Sequence, residues 1–399
     1  MSSDNEPRNK GIVPAGNRGL TRYSSRLIQR GLDLAKELDK SEAGLEISRQ
    51  TSEITTPQKL IWKCIRTLIG HLNVYSVAIS PDGQILASCG DDKTIKIWNL
   101  NTGELLRTFT GHSDIVWCVT FSPDGQILAT CSEDQTVKIW KLDTGELIST
   151  LLGHSEAVVS ITFSPDGKTL VSGSGDKTVK IWSLSTGTQL YTLTVDYDIA
   201  NLAIRPNGQT LVTAGVYGRI KLWNLPTGEL LSTLPEGHSP ATVSPDGQIV
   251  ACAIGQNSST IKLWGLESGE FLYHLTPEEL KTEVLETEVL ETEEELDKFY
   301  CSFAIDPKGK NLAGGTADGI IKIFDVDTGK LLCILSGNSR SALCFTTSPD
   351  RRNITSGSSV LSVTFSPDGQ ILVSGSLDGS INIWRVFPLA ESEVAAQSN

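Results

Sequence analysis

Histidine, serine or threonine, and aspartate recur together in the first half of the chain, and these are the residue types of a nucleophilic catalytic triad. At three places a Ser or Thr precedes an Asp by four residues, a Trp follows that Asp by six, and a Gly-His pair lies upstream. Nucleophilic catalysis needs one exposed hydroxyl beside a base and a set of oxyanion donors. Three near-copies of one set suit a structural role better than a single active site. We therefore expect no catalytic residue and predict that the protein is not an enzyme.

The sequence contains no complete motif for binding a metal ion or a cofactor. The sequence contains no H-x-H, no H-E-x-x-H and no paired C-x-x-C, so we expect no metal site. Gly167-Lys168-Thr169 resembles the end of a phosphate-binding loop, but Thr162 stands where that loop needs its first glycine. We interpret the eight cysteines as buried, reduced thiols. No cofactor is expected.

Composition narrows the class of protein further. The length of 399 residues alone would suggest two or three domains. The formal net charge of −13 argues against nucleic-acid binding, because such surfaces need clustered Lys and Arg. No apolar run of membrane-spanning length is present, and the N-terminus lacks a signal-peptide pattern. We therefore expect a cytoplasmic protein with no membrane span.

A repeat of about 42 residues organises most of the chain. The tetrapeptide Ser-Pro-Asp-Gly occurs five times, where Pro and Gly favour a chain reversal. One unit predicts four short strands, at 115–121, 127–131, 136–140 and 146–152. Such a small sheet cannot bury both of its faces, so neighbouring units must stack on it. The units are marked by Trp98, Trp140, Trp182, Trp223, Trp264, Phe324 and Trp384.

These units resemble WD40 repeats, each of which forms one blade of a β-propeller. The resemblance is greatest to bacterial, especially cyanobacterial, WD40 arrays, because their repeats are nearly uniform. Seven aromatic marks imply an all-β, seven-bladed WD40 propeller. The segment at 60–68 resembles an outer strand, and we find no counterpart after Trp384. We therefore expect the N-terminal strand to complete the seventh blade and close the ring.

One propeller domain with additions thus replaces the two or three domains that length suggests. Residues 20–38 have the apolar spacing of an amphipathic helix. An acidic insertion carries ten acidic and two basic residues, and we interpret it as a solvated helix or loop, with a docking element as the alternative. We divide the chain into an N-terminal extension at 1–59, a propeller at 60–386 with insertions at about 276–298 (acidic) and 341–357, and a polar tail at 387–399.

The resemblance also gives the recurring polar residues a role. In WD40 blades, His, a hydroxyl, Asp and Trp form a hydrogen-bonded tetrad in which the hydroxyl is buried between imidazole and indole. Such a set satisfies polar groups inside a blade. The expected tetrads are His71, Ser88, Asp92 and Trp98 in blade one, His112, Thr130, Asp134 and Trp140 in blade two, and His154, Ser172, Asp176 and Trp182 in blade three.

Partner contacts in this family lie around the central channel, at the start of each innermost strand and just before each tetrad Asp. Trp117 is not a repeat Trp, and we expect it to form an aromatic patch with Tyr75; packing between blades is the alternative. The candidate contact residues are Asn73, Tyr75, Asp91, Ile115, Trp117, Glu133, Val159, Asp198, Phe299 and Leu377.

These expectations favour a non-catalytic scaffold that presents the channel face to a protein or peptide partner, either as a monomer or within a complex. The alternative is a regulatory or assembly subunit that is tethered to a larger complex by its N-terminal helix. A propeller that binds a small molecule or acts as an enzyme is a third, weaker hypothesis.

Overall fold

The computed structural model describes residues 60–215, 218–254, 260–275, 300–336 and 359–388. These residues form 28 β-strands in seven four-stranded sheets, and the strand pairs are antiparallel. The predicted all-β, seven-bladed propeller is confirmed. The helix expected at 20–38, both insertions and the tail after Pro388 lie outside the described residues.

Each sheet, or blade, contains four strands that we number in chain order. The innermost strands are β2 Val74–Ile79, β6 Val116–Phe121, β10 Val158–Phe163, β14 Ile199–Ile204, β18 His238–Val243, β22 Tyr300–Ile305 and β26 Val360–Phe365. The second strands are β3 Ile85–Gly90, β7 Ile127–Ser132, β11 Thr169–Ser174, β15 Thr210–Gly215, β19 Ile249–Ile254, β23 Asn311–Thr316 and β27 Ile371–Ser376. The third strands are β4 Thr94–Asn99, β8 Val137–Lys141, β12 Thr178–Ser183, β16 Lys221–Asn224, β20 Thr260–Gly265, β24 Ile320–Asp325 and β28 Ser380–Pro388. The outer strands are β5 Leu105–Thr110, β9 Leu147–Leu151, β13 Gln189–Thr194, β17 Leu230–Thr233, β21 Phe271–Leu275, β25 Leu331–Ser336 and β1 Leu60–Ile69.

The Ser-Pro-Asp-Gly turns fix the pairing of the first two strands in a blade. In blade two the Ser122 hydroxyl donates to Asp124 at 2.5 Å and accepts the Ile127 N–H at 3.0 Å. The Gly125 N–H donates to the Ser122 carbonyl at 2.9 Å, and Gly125 has a φ of +70°, which favours glycine. Because the turn satisfies its own polar groups, the register of β6 against β7 follows from local sequence.

The hydrophobic core lies between adjacent blades. Ile95 and Phe109 of blade one pack with Val116, Leu128 and Trp140 of blade two in one buried cluster. Similar clusters join the other neighbouring blades. Full burial of one such aliphatic or aromatic side chain stabilises a protein by about 1.5–3 kcal/mol. The stability of each blade therefore depends on its two neighbours.

The ring closes through β1, which pairs with β28 to complete blade seven, as predicted. The pairing runs from Leu60 opposite Pro388 to Ile69 opposite Ser380. Leu68 is buried with residues of blades one and seven. Strand β28 continues to Pro388, two residues beyond the propeller end predicted at Val386.

Removal of β1 should destabilise the propeller. Contacts within the chain divide it after Pro57, so a 58–399 fragment retains β1 whereas a 70–399 fragment lacks it. We expect the thermal unfolding midpoint of 58–399 to match that of the full chain. The 70–399 fragment should unfold at lower temperature and self-associate, because the edge of β28 becomes exposed. Circular dichroism melts and light scattering measure both effects, and equal midpoints for the two fragments would contradict this account of closure.

Candidate functional site at the channel mouth

His112 and Thr130 form the centre of a hydrogen-bonded chain inside blade two. Trp140 Nε1 donates to Thr130 Oγ1 at 2.9 Å, and Thr130 Oγ1 lies 2.8 Å from His112 Nε2. His112 Nδ1 lies 2.8 Å from Asp134 Oδ2. The Thr130 hydroxyl thus connects the indole to the imidazole, and the imidazole connects the hydroxyl to the carboxylate.

These hydrogen-bonded groups have the same hydroxyl–imidazole–carboxylate order as a catalytic triad, but a substrate has no access to them. Thr130 is fully buried, and the Trp140 indole covers its oxygen. The backbone of Gly111, with a φ of +151°, packs closely against the Trp140 ring, because a Cβ added to this glycine would lie only 3.0 Å from the ring. The geometry therefore stabilises the blade and leaves no space for an acyl group beside the hydroxyl.

Two further tetrads repeat the arrangement. In blade one His71 lies 2.8 Å from both Ser88 and Asp92, and Trp98 donates to Ser88 at 2.9 Å. In blade three the corresponding distances are 2.8 Å to Ser172, 2.9 Å to Asp176 and 2.8 Å from Trp182 to Ser172. The structure thus brings together every residue of the three expected tetrads.

The charge states of blade three follow from burial and hydrogen bonding. Burial alone would raise the pKa of Asp176, but hydrogen bonds from Thr178, the Ser155 N–H and His154 outweigh it and lower this pKa to about 2. Burial lowers the pKa of His154, although the neighbouring Asp176 opposes that shift. The folded state therefore favours an ionised Asp176 beside a neutral His154.

In blades four and six a tyrosine lies beside the position of the tetrad hydroxyl, which the sequence analysis missed. The Tyr197 hydroxyl lies 2.9 Å from Thr213 Oγ1, which also accepts from Trp223 Nε1 at 3.0 Å. In blade six the hydroxyl position is Gly314, and the ring of Tyr300 fills the space beside it. The available signal was an aromatic residue near the start of an innermost strand in units that lack Gly-His.

The channel mouth is formed where the innermost strands begin, and each of these strands contains a β-bulge or irregularity there. Bulges redirect a side chain away from the regular alternation of a strand. In blade two the register shifts between Val116 and Cys118, so Trp117 is the extra residue. The single residues at the equivalent shifts in blades one, three, four, six and seven are Tyr75, Val159, Ala200, Cys301 and Leu361.

Tyr75 and Trp117 contact each other across the first two blades. Their ring centroids lie 4.5 Å apart with an interplanar angle of 58°. Both side chains are half-buried, so part of each remains accessible, and Trp117 also packs against the buried cluster between blades two and three, as the alternative predicted. Trp117 Nε1 donates to Glu133 Oε2 at 2.7 Å. We call this group (Tyr75, Trp117 and Glu133) the aromatic patch.

A second carboxylate near the aromatic patch is fixed by its own hydrogen bonds. Asp91 accepts the Asn73 backbone N–H at 3.0 Å and the Asn73 side-chain amide at 2.7 Å. Asn73 itself is buried, so it supports Asp91 and offers little contact area. The mouth therefore presents fixed acidic groups beside an aromatic surface.

The remaining predicted contact residues differ in their accessibility. Ile115 and Val159 are half-buried, and Asp198 is exposed with Lys177 Nζ at 4.0 Å. The expectation that Leu377 contributes contact surface is wrong, because it is only 3% exposed. Its N–H also donates to the Ser359 carbonyl at 3.0 Å, which holds the segment inside blade seven. Phe299 lies outside the described residues.

The residues that the structure describes contain neither a metal-ligand cluster nor a membrane-spanning helix. There, no group of three or more His, Cys, Asp or Glu side chains could hold a metal ion. In the same ranges, no helix is long and apolar enough to span a membrane.

Comparison with known proteins identifies the repeats. The family model "WD domain, G-beta repeat" matches residues 62–99, 103–141, 145–183, 187–224 and 356–385. The matched segments correspond to blades one to four and blade seven, together with the strand β1 that closes the ring.

Curated relatives are similar over short segments. The chain is 34% identical over 102 residues to "Periodic tryptophan protein 2 homolog" of Neurospora crassa, which is 25% of this chain and 9% of that protein. It is 50% identical over 50 residues to "Lissencephaly-1 homolog" of Caenorhabditis briggsae, covering 12% and 13%. It is 44% identical over 57 residues to human "WD repeat domain-containing protein 83", covering 14% and 18%. The matches thus span less than a fifth of each of these relatives. These relatives are eukaryotic and do not support the expected bacterial type.

Loss of a tetrad hydroxyl should destabilise the propeller. In Ser172→Ala, the Trp182 N–H loses its acceptor and His154 Nε2 loses its hydroxyl partner, and both remain buried. We expect a loss of about 1–3 kcal/mol in the free energy of unfolding, measured by urea denaturation. The control is Ser185→Ala, an exposed serine that follows β12, which should unfold like the parent. Equal stability of Ser172→Ala and the parent would contradict a structural role for the tetrad.

Acid should destabilise blade three through two groups. The pKa of His154 is lowered, so its contribution is present above the unfolded pKa near 6.5 and declines as the pH falls below it. The pKa of Asp176 is about 2, so its contribution is present above about pH 4 and is lost towards pH 2. Asp176→Asn should flatten the stability profile between pH 4 and 2 in urea titrations. A parallel profile for the variant and the parent would refute this assignment.

Proposed function

We propose that this protein, a seven-bladed propeller that carries WD40 repeats, is a scaffold that binds a protein or peptide partner at its channel mouth. The single observation that supports the proposal most is the aromatic patch. Tyr75 and Trp117 are in contact on the two neighbouring blades and are redirected there by bulges. Aromatic residues that are held rigidly and partly exposed are common centres of binding energy.

The chemistry of the mouth favours a partner with adjacent apolar and basic side chains. The ring faces of Tyr75 and Trp117 offer an apolar or cation-accepting surface. Glu133 holds the Trp117 indole by accepting its N–H, and its carboxylate is exposed. A Lys or Arg of the partner beside Glu133 would gain a charged contact without displacing the aromatic rings.

Truncation of the aromatic patch should weaken partner binding without unfolding the propeller. We expect Tyr75→Ala and Trp117→Ala each to reduce affinity at least tenfold, which corresponds to about 1.4 kcal/mol. The partner is first captured with the parent protein by affinity purification and identified by mass spectrometry. Its affinity for each variant is then measured by calorimetry.

The matched control is Phe271→Ala, which removes an aromatic side chain that is 43% exposed on the outer strand β21. It should bind like the parent. Glu133→Gln retains an acceptor for Trp117 but removes the charge, and it should reduce affinity most at low salt. Unchanged affinity of folded Tyr75→Ala and Trp117→Ala variants would reject the aromatic patch as the binding site. Binding by the 58–399 fragment separates this site from a tether in the N-terminal extension.

A further inference from the structure

Hydrogen bonds join the innermost strands of neighbouring blades at one equivalent position. A serine at this position accepts a backbone N–H from the next blade. This contact joins the innermost strands of four pairs of neighbouring blades, and its backbone N–H groups belong to residues that line the channel. The bonds run from Val77 N to Ser362 Oγ at 3.1 Å, from Val119 N to Ser76 Oγ at 3.4 Å, from Leu202 N to Ser160 Oγ at 3.0 Å, and from Val363 N to Ser302 Oγ at 3.0 Å.

Blade two has a cysteine, Cys118, at this position. The Ile161 N–H of blade three is a hydrogen-bond donor to its sulfur, and the Ser76 hydroxyl donates to the sulfur at 3.9 Å. Cys118 also lines the channel cavity of about 660 Å³, whose wall includes residues of six other blades. The residue as a whole is half-buried.

Cys131 lies directly opposite Cys118 in the register of β6 and β7. Opposite residues of antiparallel strands have Cα atoms about 4.5–5.5 Å apart and side chains on the same face. That separation falls within the range of a disulfide. Among the six equivalent pairs in blades one to four, six and seven, only blade two has cysteine on both strands.

We propose that Cys118 and Cys131 are a redox-active thiol pair, which a low-molecular-weight disulfide in the channel oxidises to a cross-strand disulfide. The Cys118 thiolate attacks one sulfur of the oxidant, the S–S bond of the oxidant breaks, and one thiolate leaves. The Cys131 sulfur then attacks Cys118 of the mixed disulfide, and the second thiol leaves with the Cys131 proton. Two electrons thus pass from the protein thiols to the oxidant, which becomes two thiols.

The two thiols have different pKa values, and this difference explains why Cys118 reacts before Cys131. The hydrogen bond from Cys131 is the largest influence on Cys118, and together with those from Ile161 N–H and Ser76 it outweighs burial and lowers the pKa of Cys118 to about 7. Burial raises the pKa of Cys131 well above its ordinary value. Cys118 therefore attacks first because it carries more thiolate near neutral pH and faces the channel.

The test uses the full chain and oxidised glutathione as the probe. Trypsin cleavage after Arg107 and Lys138 releases both cysteines in one peptide, 108–138. After oxidation, free thiols are blocked with N-ethylmaleimide and the peptide is weighed by mass spectrometry. We expect this peptide to lose two hydrogen atoms and to take up no maleimide. Reduction with dithiothreitol should restore both labels.

Three variants make the assignment specific. Cys131→Ala should stop at a glutathione adduct on Cys118, because the second thiol is absent. Cys118→Ser places at this position the residue found in blades one, three, six and seven, so it should stay folded and form neither product. Cys89→Ser changes a buried thiol in blade one and should still form the disulfide.

The rate of labelling provides a second readout. Alkylation of Cys118 in the Cys131→Ser variant, in which a hydroxyl can still donate to the sulfur, should increase with a midpoint near pH 7. If peptide 108–138 keeps two free thiols under conditions that modify the exposed Cys64, the proposal is overturned. Formation of the disulfide only after the protein has been unfolded would overturn the proposal as well. Neither outcome bears on binding at the aromatic patch, because these variants leave Tyr75 and Trp117 in place.

Discussion

The packing of one blade against the next is the constraint on which the rest of the structure depends. A four-stranded sheet with apolar residues on both faces cannot be stable by itself. Each buried cluster contains residues of two blades, so a free end would leave one apolar face in water. Closure through β1 removes both ends at once, since Leu68 joins a cluster that contains residues of blades one and seven. The pairing of β1 with the last blade is therefore required for the whole ring to be stable.

The buried polar groups follow the same logic within a blade. An indole N–H inside a blade needs an acceptor, and the tetrad supplies one through a hydroxyl whose own proton is also used. Blade six replaces both the indole and its acceptor. Phe324 removes the N–H, Gly314 removes the hydroxyl, and the Tyr300 ring fills the space that remains, where the Tyr300 hydroxyl is buried without a hydrogen-bond partner among the described residues. Blade five differs, because it keeps Trp264 although Cys252 stands at the hydroxyl position, so a change at one position of the repeat does not require a change at its partner.

Sequence reasoning reached the fold because its signals are local. The Ser122–Ile127 turn contains its own hydrogen bonds, and the closing strand could be identified from its likeness to an outer strand. The tyrosines of blades four and six were missed because their role depends on contacts across strands that no short motif encodes. Leu377 was misplaced for a related reason. Alignment places a residue on a loop, but its burial is decided by the adjoining chain at Ser359.

The bulge in β6 explains how one short segment can serve two surfaces. In a regular strand, Trp117 and Cys118 would simply alternate between the two faces of the sheet. The extra residue shifts the register, so that Cys118 pairs with Cys131 while Trp117 contacts Tyr75 and Glu133. Trp117 thus belongs to the mouth, whereas Cys118 belongs to the wall of the cavity. Partner binding at the mouth and thiol chemistry in the channel need different side chains. A substitution of Trp117 therefore leaves the cysteine pair in place, and a substitution of Cys118 leaves the aromatic patch in place. Because the two residues are adjacent, however, a partner segment that entered the channel past Trp117 would restrict access to Cys118.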